Sequence, residues 1–246
     1  MGVSVRMYRY NRWLFICSLT LVIVSCWQQD QLPVAMPISQ QLELEPSQEL
    51  LEMEPFTVNH NQVTYLVEPL YQYQLYGLVV SYNHHEGGSL HERWNDHLNV
   101  SDFCVVWGSN ADPAILNQFD FYNGQFTCNF ATKDQTAWQR FNLNKLSNNH
   151  LLSDDNYIRS QLEAIEIGDQ IKLTGYLAKY SNNSGFNRST STVRTDTGNG
   201  ACETLYVTEY QKLSSMSNIW RKLLPIAVVL LLLSLIIHFK APHKFS

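Results

Sequence analysis

Acidic residues are missing from both ends of this 246-residue chain. All 22 Asp and Glu residues lie between positions 28 and 218, together with only ten of the 17 Lys and Arg residues. That segment therefore carries a net charge of −12, against −5 for the whole chain. Because affinity for nucleic acid depends largely on neutralising phosphates with Lys and Arg, the charge distribution argues against a nucleic-acid partner.

Recognisable catalytic and cofactor motifs are also lacking. The chain has no GxSxG elbow, no Walker-type loop, no dinucleotide fingerprint, no CxxC pair and no HExxH pair. No repeat with a period of 20 to 50 residues is visible. We therefore predict no cofactor and no structural metal, and the sequence by itself names no activity.

The C-terminal region contains a long run without charge. Residues 223–239 have no Asp, Glu, Lys or Arg, and with the approach from position 219 the run reaches the ~20 residues that a membrane-spanning helix needs. Trp, Arg and Lys residues border it, as is typical of interfacial anchors. The sequence predicts a transmembrane helix over 219–239 and a cytoplasmic tail over 240–246.

The N-terminal region, residues 1–27, has three Arg residues followed by an apolar run of about a dozen residues. Three interpretations stay open: a retained signal anchor, a lipoprotein signal whose lipidated residue is Cys26, and an ordinary cleaved signal. All three place the acidic segment across the membrane, and the positive-inside rule agrees. We expect a protein of the bacterial inner membrane whose bulk faces the periplasm.

Residues 28–62 form an acidic segment rich in Pro, Gln and Glu, with no Gly, Lys or Arg. Proline without glycine favours extended, semi-stiff chain, so the composition predicts a linker. A short acidic helix over 46–53 is the alternative.

Residues 63–213 are predicted to form a β-rich α+β domain. Runs at 75–82 and 102–108 have the composition of strands, and Asn123-Gly124 between apolar arms indicates a hairpin. Helices are predicted over 137–146 and 156–165, with a helix end or turn at 147–150. Two alternating runs within 168–210 complete a domain with one or two short helices.

Three cysteines lie in this domain: Cys104, Cys128 and Cys202. In an oxidising compartment a disulfide is expected, and Cys104 with Cys128 is the preferred pair because their strands are close in sequence. Three buried thiols are the alternative.

Candidate site residues fall into four groups. His150 in a polar segment is a candidate general base, with Asp196 or Glu203 as its partner, although a helix C-cap explains the same pattern. The glycine-rich stretch near position 199 would bind a polar or anionic ligand, or simply be a tight connection. Aromatic residues, among them Trp94 and Trp107, would line a groove or the core. Four histidines within 84–97 would bind a metal or be solvated. The ligand-binding candidates are Arg194, Asp196, Asn199, Glu203 and Trp107.

Several motifs resemble a group of bacterial membrane-anchored proteins of no assigned activity. They are DFCVVWG (102–108), SNNHLL (147–152) and RTDTGNGACETLYV (194–207). The resemblance implies a short N-terminal apolar segment, a periplasmic β domain and a C-terminal span. The opening GDQIKLTGYL (168–177) is similar to that of small barrels of the OB type, an analogy of fold that does not carry function.

The leading functional hypothesis is a membrane-tethered binding or assembly module that acts on a protein or another envelope component. It depends on the apolar segment at each end and on the missing catalytic motifs. Two alternatives stay open: an envelope hydrolase that uses His150 with Asp196 or Glu203, and a small-ligand sensor that uses the 194–203 loop.

Overall fold

The computed structural model describes residues 2–85, 89–124, 126–196 and 202–240. The chain divides into two compact units. One consists of Met1–Pro33 with Ser217–Ser246, and the other is Val34–Met216.

The first unit contains two long helices, α1 (Gly2–Gln28) and α6 (Ile219–Lys240), which pack against each other. Both are long and apolar enough to cross a bilayer, α1 over Tyr10–Gln28. Asn218 joins their ends, because its side-chain amide donates to the carbonyls of Gln28, Gln29 and Gln31 at 2.9–3.0 Å. Its Oδ1 accepts from Trp220 N and so caps α6.

The second unit is mixed α/β and dominated by strands. Its short α-helices are α2 (Ser89–Trp94), α3 (Pro113–Leu116), α4 (Gln135–Arg140) and α5 (Asn156–Glu163), and its 3-10 turns are Gln40–Glu43, Gly108–Asn110 and Leu143–Lys145. The strands are β1 (Ser47–Leu50), β2 (Phe56–His60), β3 (Val63–His84), β4 (Asn99–Val106), β5 (Phe119–Gly124), β6 (Thr127–Thr132), β7 (Leu146–Leu152), β8 (Gln170–Asn182), β9 (Asn187–Arg188) and β10 (Cys202–Ser214).

Eight of these strands form one sheet in the order β1-β3-β4-β7-β10-β8-β9, with β2 on β3 and a further pairing between β3 and β8. All pairs are antiparallel except β7 with β10. The long strand β3 makes this possible, because its first part pairs with β8 and its last part with β4. The prediction of a β-rich domain between two apolar segments is confirmed at this level.

Alternation along the strands separates two clusters of buried side chains. The larger includes Leu75, Phe103, Leu151, Leu177 and Leu205, and α5 adds Ile158 and Leu162 to it. The smaller lies on the other side of the same strands and contains Tyr65, Val67, Leu152, Ala178 and Tyr180. Neighbouring residues of one strand thus belong to different clusters, as the period of two requires.

The linker predicted over 28–62 needs correction. From Val34 onward this segment belongs to the sheet unit, β1 and β2 both pair with β3, and Leu42 is fully buried. The short helix considered over 46–53 is a strand instead. Composition misled here because polar edge strands need only one buried face, and β1 exposes most of its residues.

The turn predicted at 147–150 is also wrong, since these residues lie inside the buried strand β7. Asn, Ser and His favour turns locally, but here pairing with β4 and β10 on both sides supplies the backbone hydrogen bonds. The hairpin prediction is correct, with one shift. Asn123 and Gly124 are paired residues at the end of β5, so the connection comes after them.

Candidate functional site

The polar residues of the site sit on one face of the central strands. In the register of β4 and β7, Asp102 lies opposite His150 and Cys104 lies opposite Asn148. In the parallel pair, Cys202 of β10 lies opposite the same Asn148. Because side chains of a strand alternate between faces, these five residues point to the same side.

Asp102 stands between two histidines. His150 Nδ1 is 2.6 Å from Asp102 Oδ1, and His85 Nε2 is 2.9 Å from the same oxygen. Asn99 Nδ2 donates to it at 3.3 Å. All four side chains are buried, and Asp102 is fully inaccessible. A carboxylate in such a place needs this set of partners, because an unpaired buried charge is costly.

The electrostatics favour an ion pair between Asp102 and His150. Burial would raise the pKa of Asp102, but His150 and His85 hold it well below its usual range. Burial would lower the pKa of His150, but the Asp102 carboxylate raises it to about 9, with a further contribution from Cys202 and an opposing one from Arg188. His150 is therefore an imidazolium at neutral pH.

Cys202 completes this polar group. Asn148 Nδ2 donates to Cys202 Sγ at 3.4 Å and to the Phe126 carbonyl at 3.0 Å, and the thiol lies 3.7 Å from that same carbonyl. Cys202 is a free, partly exposed thiol. The structure joins Cys104 and Cys128 in a disulfide, with Cα atoms 5.5 Å apart.

An open cleft of about 520 Å³ lies next to this group. Trp94 stacks between Phe126 and Phe186, with ring centroids 5.7 and 5.8 Å apart. The guanidinium of Arg188 sits 4.0 Å above the Phe126 ring. The ring centroid of Phe126 also lies 6.1 Å from that of His85 and 5.9 Å from that of His150. Phe126 thus separates the aromatic and cationic cleft from the buried histidines.

A second polar cluster surrounds Glu45. Its carboxylate accepts hydrogen bonds from Trp107 Nε1 and Arg194 Nη2, both at 2.9 Å, and Lys145 Nζ lies 3.6 Å away. Two of the predicted ligand-binding residues, Arg194 and Trp107, therefore both bond to the carboxylate of Glu45. Trp107 is almost wholly buried, which agrees with the alternative that it belongs to the core.

The three predicted catalytic residues are not brought together. His150 bonds to Asp102, while Glu203 lies opposite Asn149 and so points to the other face of the sheet. Asp196 Oδ2 accepts from Ser191 Oγ at 2.6 Å within its own loop. Asn199, another predicted ligand-binding residue, lies outside the described residues.

Glu203 occupies the apolar face of β10 beside Leu205 and Val207. Burial raises its pKa to about 8, and the Asp196 carboxylate adds to this. Within the described part of the chain, its Oε2 has no hydrogen-bond partner. Glu203 is therefore a neutral acid at neutral pH, which does not suit the role of a base for His150.

The predicted cluster of four histidines is dispersed. His84 Nδ1 is 2.6 Å from Ser101 Oγ, His85 contacts Asp102, and the backbone of His97 bonds to Tyr65. The side chain of His91 lies outside the described part. Among the residues described, no group of three His, Cys, Asp or Glu side chains is arranged to hold a metal ion. Cys26 lies within α1, and its lipidation stays a prediction.

Sequence reasoning missed Asp102, Phe126, Phe186 and Arg188, although it named Trp94 as a groove residue. Asp102 did carry a signal, because it is a carboxylate in a strand whose other residues are mostly apolar. The aromatic residues and Arg188 are distant in sequence and meet only through the sheet. Comparison of the chain with protein-family models, curated proteins and solved structures finds no match.

Proposed function

We propose that this chain is a membrane-anchored binding module whose sheet unit engages a partner protein through the cleft of Trp94, Phe126, Phe186 and Arg188. The observation that carries the proposal is the combination of stacked aromatic rings with a guanidinium in an open cleft. Sites of this volume are typical of specific binding. Clefts with Trp and Arg are also where binding energy concentrates.

The strand pairings support an OB-type barrel as the finer description of the fold. The pairs β3–β4, β4–β7, β7–β10, β10–β8 and β8–β3 form a cycle of five strands, and α5 lies between β7 and β8. OB barrels bind ligands beside the second and third strands, between the loops that connect strands one to two and four to five. Trp94 lies in the connection from β3 to β4, and Phe186 and Arg188 lie in the connection from β8 to β10, while Phe126 comes from the hairpin of β5 and β6.

The chemistry of the cleft favours an acidic partner segment that contains an aromatic residue. Arg188 makes cation–π contacts and has no carboxylate partner within the described ranges, and Arg93 lines the same cleft. Both arginines line the cleft of a segment whose net charge is −12. These guanidinium groups complement a carboxylate of the partner. The stacked rings of Trp94, Phe126 and Phe186 complement a planar or apolar side chain.

The compartment belongs to the same proposal. Two apolar helices are consistent with membrane anchoring. Three Arg residues precede the apolar run of α1, and a disulfide is stable in an oxidising space, which supports a periplasmic sheet unit. Alkaline phosphatase fused after residue 215 should be active in cells. An inactive fusion, with an active cytoplasmic reporter at the same position, would contradict this orientation.

Binding is tested with full-length protein in detergent and a library of acidic peptides that contain Phe or Tyr. We expect saturable binding that Arg188→Gln and Trp94→Ala each weaken by about tenfold or more. Two controls match the chemistry elsewhere: Arg140→Gln, which removes an exposed guanidinium, and Trp138→Ala, which removes a half-exposed indole stacked on Phe130. Equal affinity of all four variants would refute the proposal.

A further inference from the structure

We propose that a cavity between α1 and α6 binds the headgroup of an anionic phospholipid that carries hydroxyl groups, such as phosphatidylglycerol. The cavity has a volume of about 370 Å³ and lies toward the ends of the two helices that are far from Asn218. This site goes beyond the peptide cleft of the sheet unit and shares no residue with it. It is lined on α1 by Asn11, Arg12 and Phe15, and on α6 by residues that include Ser234, His238 and Phe239.

The two helices pack along a seam of small and polar residues. Asn11, Ser18 and Ser25 recur every seven residues on α1, and all three are buried. Ala227 and Ser234 have the same spacing on α6 and are fully buried. Small residues on facing helices allow their backbones to approach closely in a bilayer. Of the three interpretations of the N-terminal region, the site requires the retained anchor, because α1 supplies part of its lining.

Asn11 is the residue that points to a ligand. Only 7% of it is exposed, and its Oδ1 has no hydrogen-bond partner among the described residues. Ser234 does not supply the missing donor, because its hydroxyl donates to the Leu231 carbonyl of its own helix at 2.8 Å. An unpaired amide oxygen is costly in an apolar environment. Since the terminal torsion of Asn is broad, the amide can turn its oxygen toward a hydroxyl group in the cavity.

The positive charge at the cavity has no acidic residue in either helix to balance it. α1 and α6 contain no Asp or Glu, while Arg12 is exposed and lines the cavity. A guanidinium group forms paired hydrogen bonds with a phosphate group. Basic pockets between spanning helices on the cytoplasmic side bind anionic headgroups. The positive-inside rule places this end of the pair on that side.

The apolar lining favours a lipid over a free phosphate compound. Phe15 and Phe239 line the same cavity as Arg12, and Phe239 is largely exposed. These rings would contact the glycerol backbone and acyl chains of a phospholipid, which a soluble phosphate lacks. A choline headgroup fits poorly, because its quaternary ammonium has no hydrogen to donate to Asn11 and is repelled by Arg12. A glycerol headgroup has hydroxyl donors and leaves the lipid with a net negative charge.

The experiment titrates full-length protein in detergent with phosphatidylglycerol, phosphatidylmethanol and phosphatidylcholine of the same acyl chains. Native mass spectrometry counts the bound lipids and gives the mass of the chain. We expect one tightly held phosphatidylglycerol, with an affinity about tenfold or more above that of phosphatidylcholine, as for one hydrogen bond to a charged group. Phosphatidylmethanol has the charge but no hydroxyl and should bind less tightly than phosphatidylglycerol. Equal affinity for phosphatidylglycerol and either of the others, or a mature chain that lacks α1, would overturn the proposal.

Variants locate the site on the helix pair. Arg12→Gln should weaken phosphatidylglycerol binding by about tenfold, and Asn11→Leu should abolish the preference for phosphatidylglycerol over phosphatidylmethanol. Lys240→Gln is the matched control, because it removes one positive charge at the same end of the pair from a residue that does not line the cavity. Equal losses for Arg12→Gln and Lys240→Gln would indicate a diffuse charge effect and refute the site.

Two further measurements separate the alternatives. Glycerol 3-phosphate, added at the concentration of the lipid, should leave phosphatidylglycerol bound, and its displacement of the lipid would overturn the assignment to a phospholipid. If a variant fails to fold, the three-lipid series on the unaltered chain still decides the outcome. Arg188→Gln should lose peptide affinity and keep phosphatidylglycerol. Failure of peptide binding would therefore refute only the proposed function, and loss of lipid selectivity would refute only this site.

Discussion

At the scale of the residue, the most unusual placement is that of Glu203. It puts a carboxyl group on the apolar face of β10, where burial raises its pKa to about 8 from an ordinary value of 4.5. The folded state therefore holds the proton more tightly than the unfolded state does. The free energy of unfolding should fall as the pH rises from about 4.5 to about 8, and should level off above that.

We predict that Glu203→Gln removes this fall, because the amide resembles the neutral acid in shape and cannot ionise. Near pH 8 the variant should be more stable than the parent by more than about 1.4 kcal/mol, the equivalent of one pKa unit. Thermal unfolding of the full chain in detergent across this pH range measures the effect. Glu49→Gln, on an exposed residue of β1, should keep the slope of the parent. Parallel curves for Glu203→Gln and the parent would contradict the prediction.

The sequence identified His150 and Glu203 as candidate site residues, but it did not identify the residues that contact them. His150 was recognisable as an ionisable residue in a polar run, and Glu203 as one beside glycines. The partner of His150 is 48 positions away along the chain. Only the register of β4 with β7 selects Asp102 over Asp196, since a sequence lists charged residues without saying which face they occupy.

At the scale of the element, β8 leaves no room for a side chain at Gly175. Gly175 lies between Tyr73 of β3 and Val207 of β10, next to an irregularity in the β10 register. A Cβ atom at this position would be 2.0 Å from the backbone oxygen of Tyr206. Backbone atoms of a paired strand cannot move aside as a flexible side chain would.

We predict that Gly175→Ala destabilises the sheet unit by about 3 kcal/mol, the upper end of the ~1–3 kcal/mol typical of overpacking, because the clash is with backbone. Gly185→Ala is the matched control. Among the described residues, no atom beyond its chain neighbours lies within 4 Å of the added Cβ, and the cost of this change comes from its φ of +88°, about 1 kcal/mol. Thermal or urea unfolding of the full chain would rank the two variants. A smaller loss for Gly175→Ala than for Gly185→Ala would show that β10 can move away from β8.

The hairpin of β5 and β6 is tied to β4 by the Cys104–Cys128 disulfide, which spans 24 positions. Closing a loop of this length contributes about 3 kcal/mol through the unfolded state. We predict that a thiol reductant lowers the stability of the parent by this amount. The double variant Cys104→Ala, Cys128→Ala should be equally unstable and indifferent to the reductant. Cys202→Ser, which leaves the pair intact, should respond as the parent does.

Elements with strong local signals were predictable, and those that depend on their neighbours were not. The strands around 75–82 and 102–108 and the helix near 156–165 are present, the helix capped by Asp155 as its sequence indicates. β7 was predicted as a turn because Ser147–His150 prefer turns in isolation. Two flanking strands outweigh that preference, since pairing satisfies the backbone on both sides.

At the scale of the whole molecule, two apolar helices set the expectation of membrane anchoring. An arginine at the centre of a spanning helix costs about 2.5–3.5 kcal/mol on insertion. We predict that the double variant Leu19→Arg, Val229→Arg loses much of its carbonate-resistant membrane fraction. Val193→Arg is the control, because Val193 in the sheet unit is as exposed as Val229, at 57% and 54%. Equal membrane fractions for the control and the double variant would contradict anchoring by these helices.

The sequence by itself determined the features that depend on composition and local pattern. These are two apolar helices at the ends that lack acidic residues, an acidic strand-rich segment between them, and the preferred cysteine pair. Each follows from properties that neighbouring residues share, such as hydropathy, alternation and net charge. The tertiary structure decided which polar residues meet. It assigned Asp102 to His150, Cys202 to the same face, Glu203 to the opposite one, and Arg188 to the ring of Phe126. Such contacts depend on strand order and register, which are settled by burying both faces of the sheet at once.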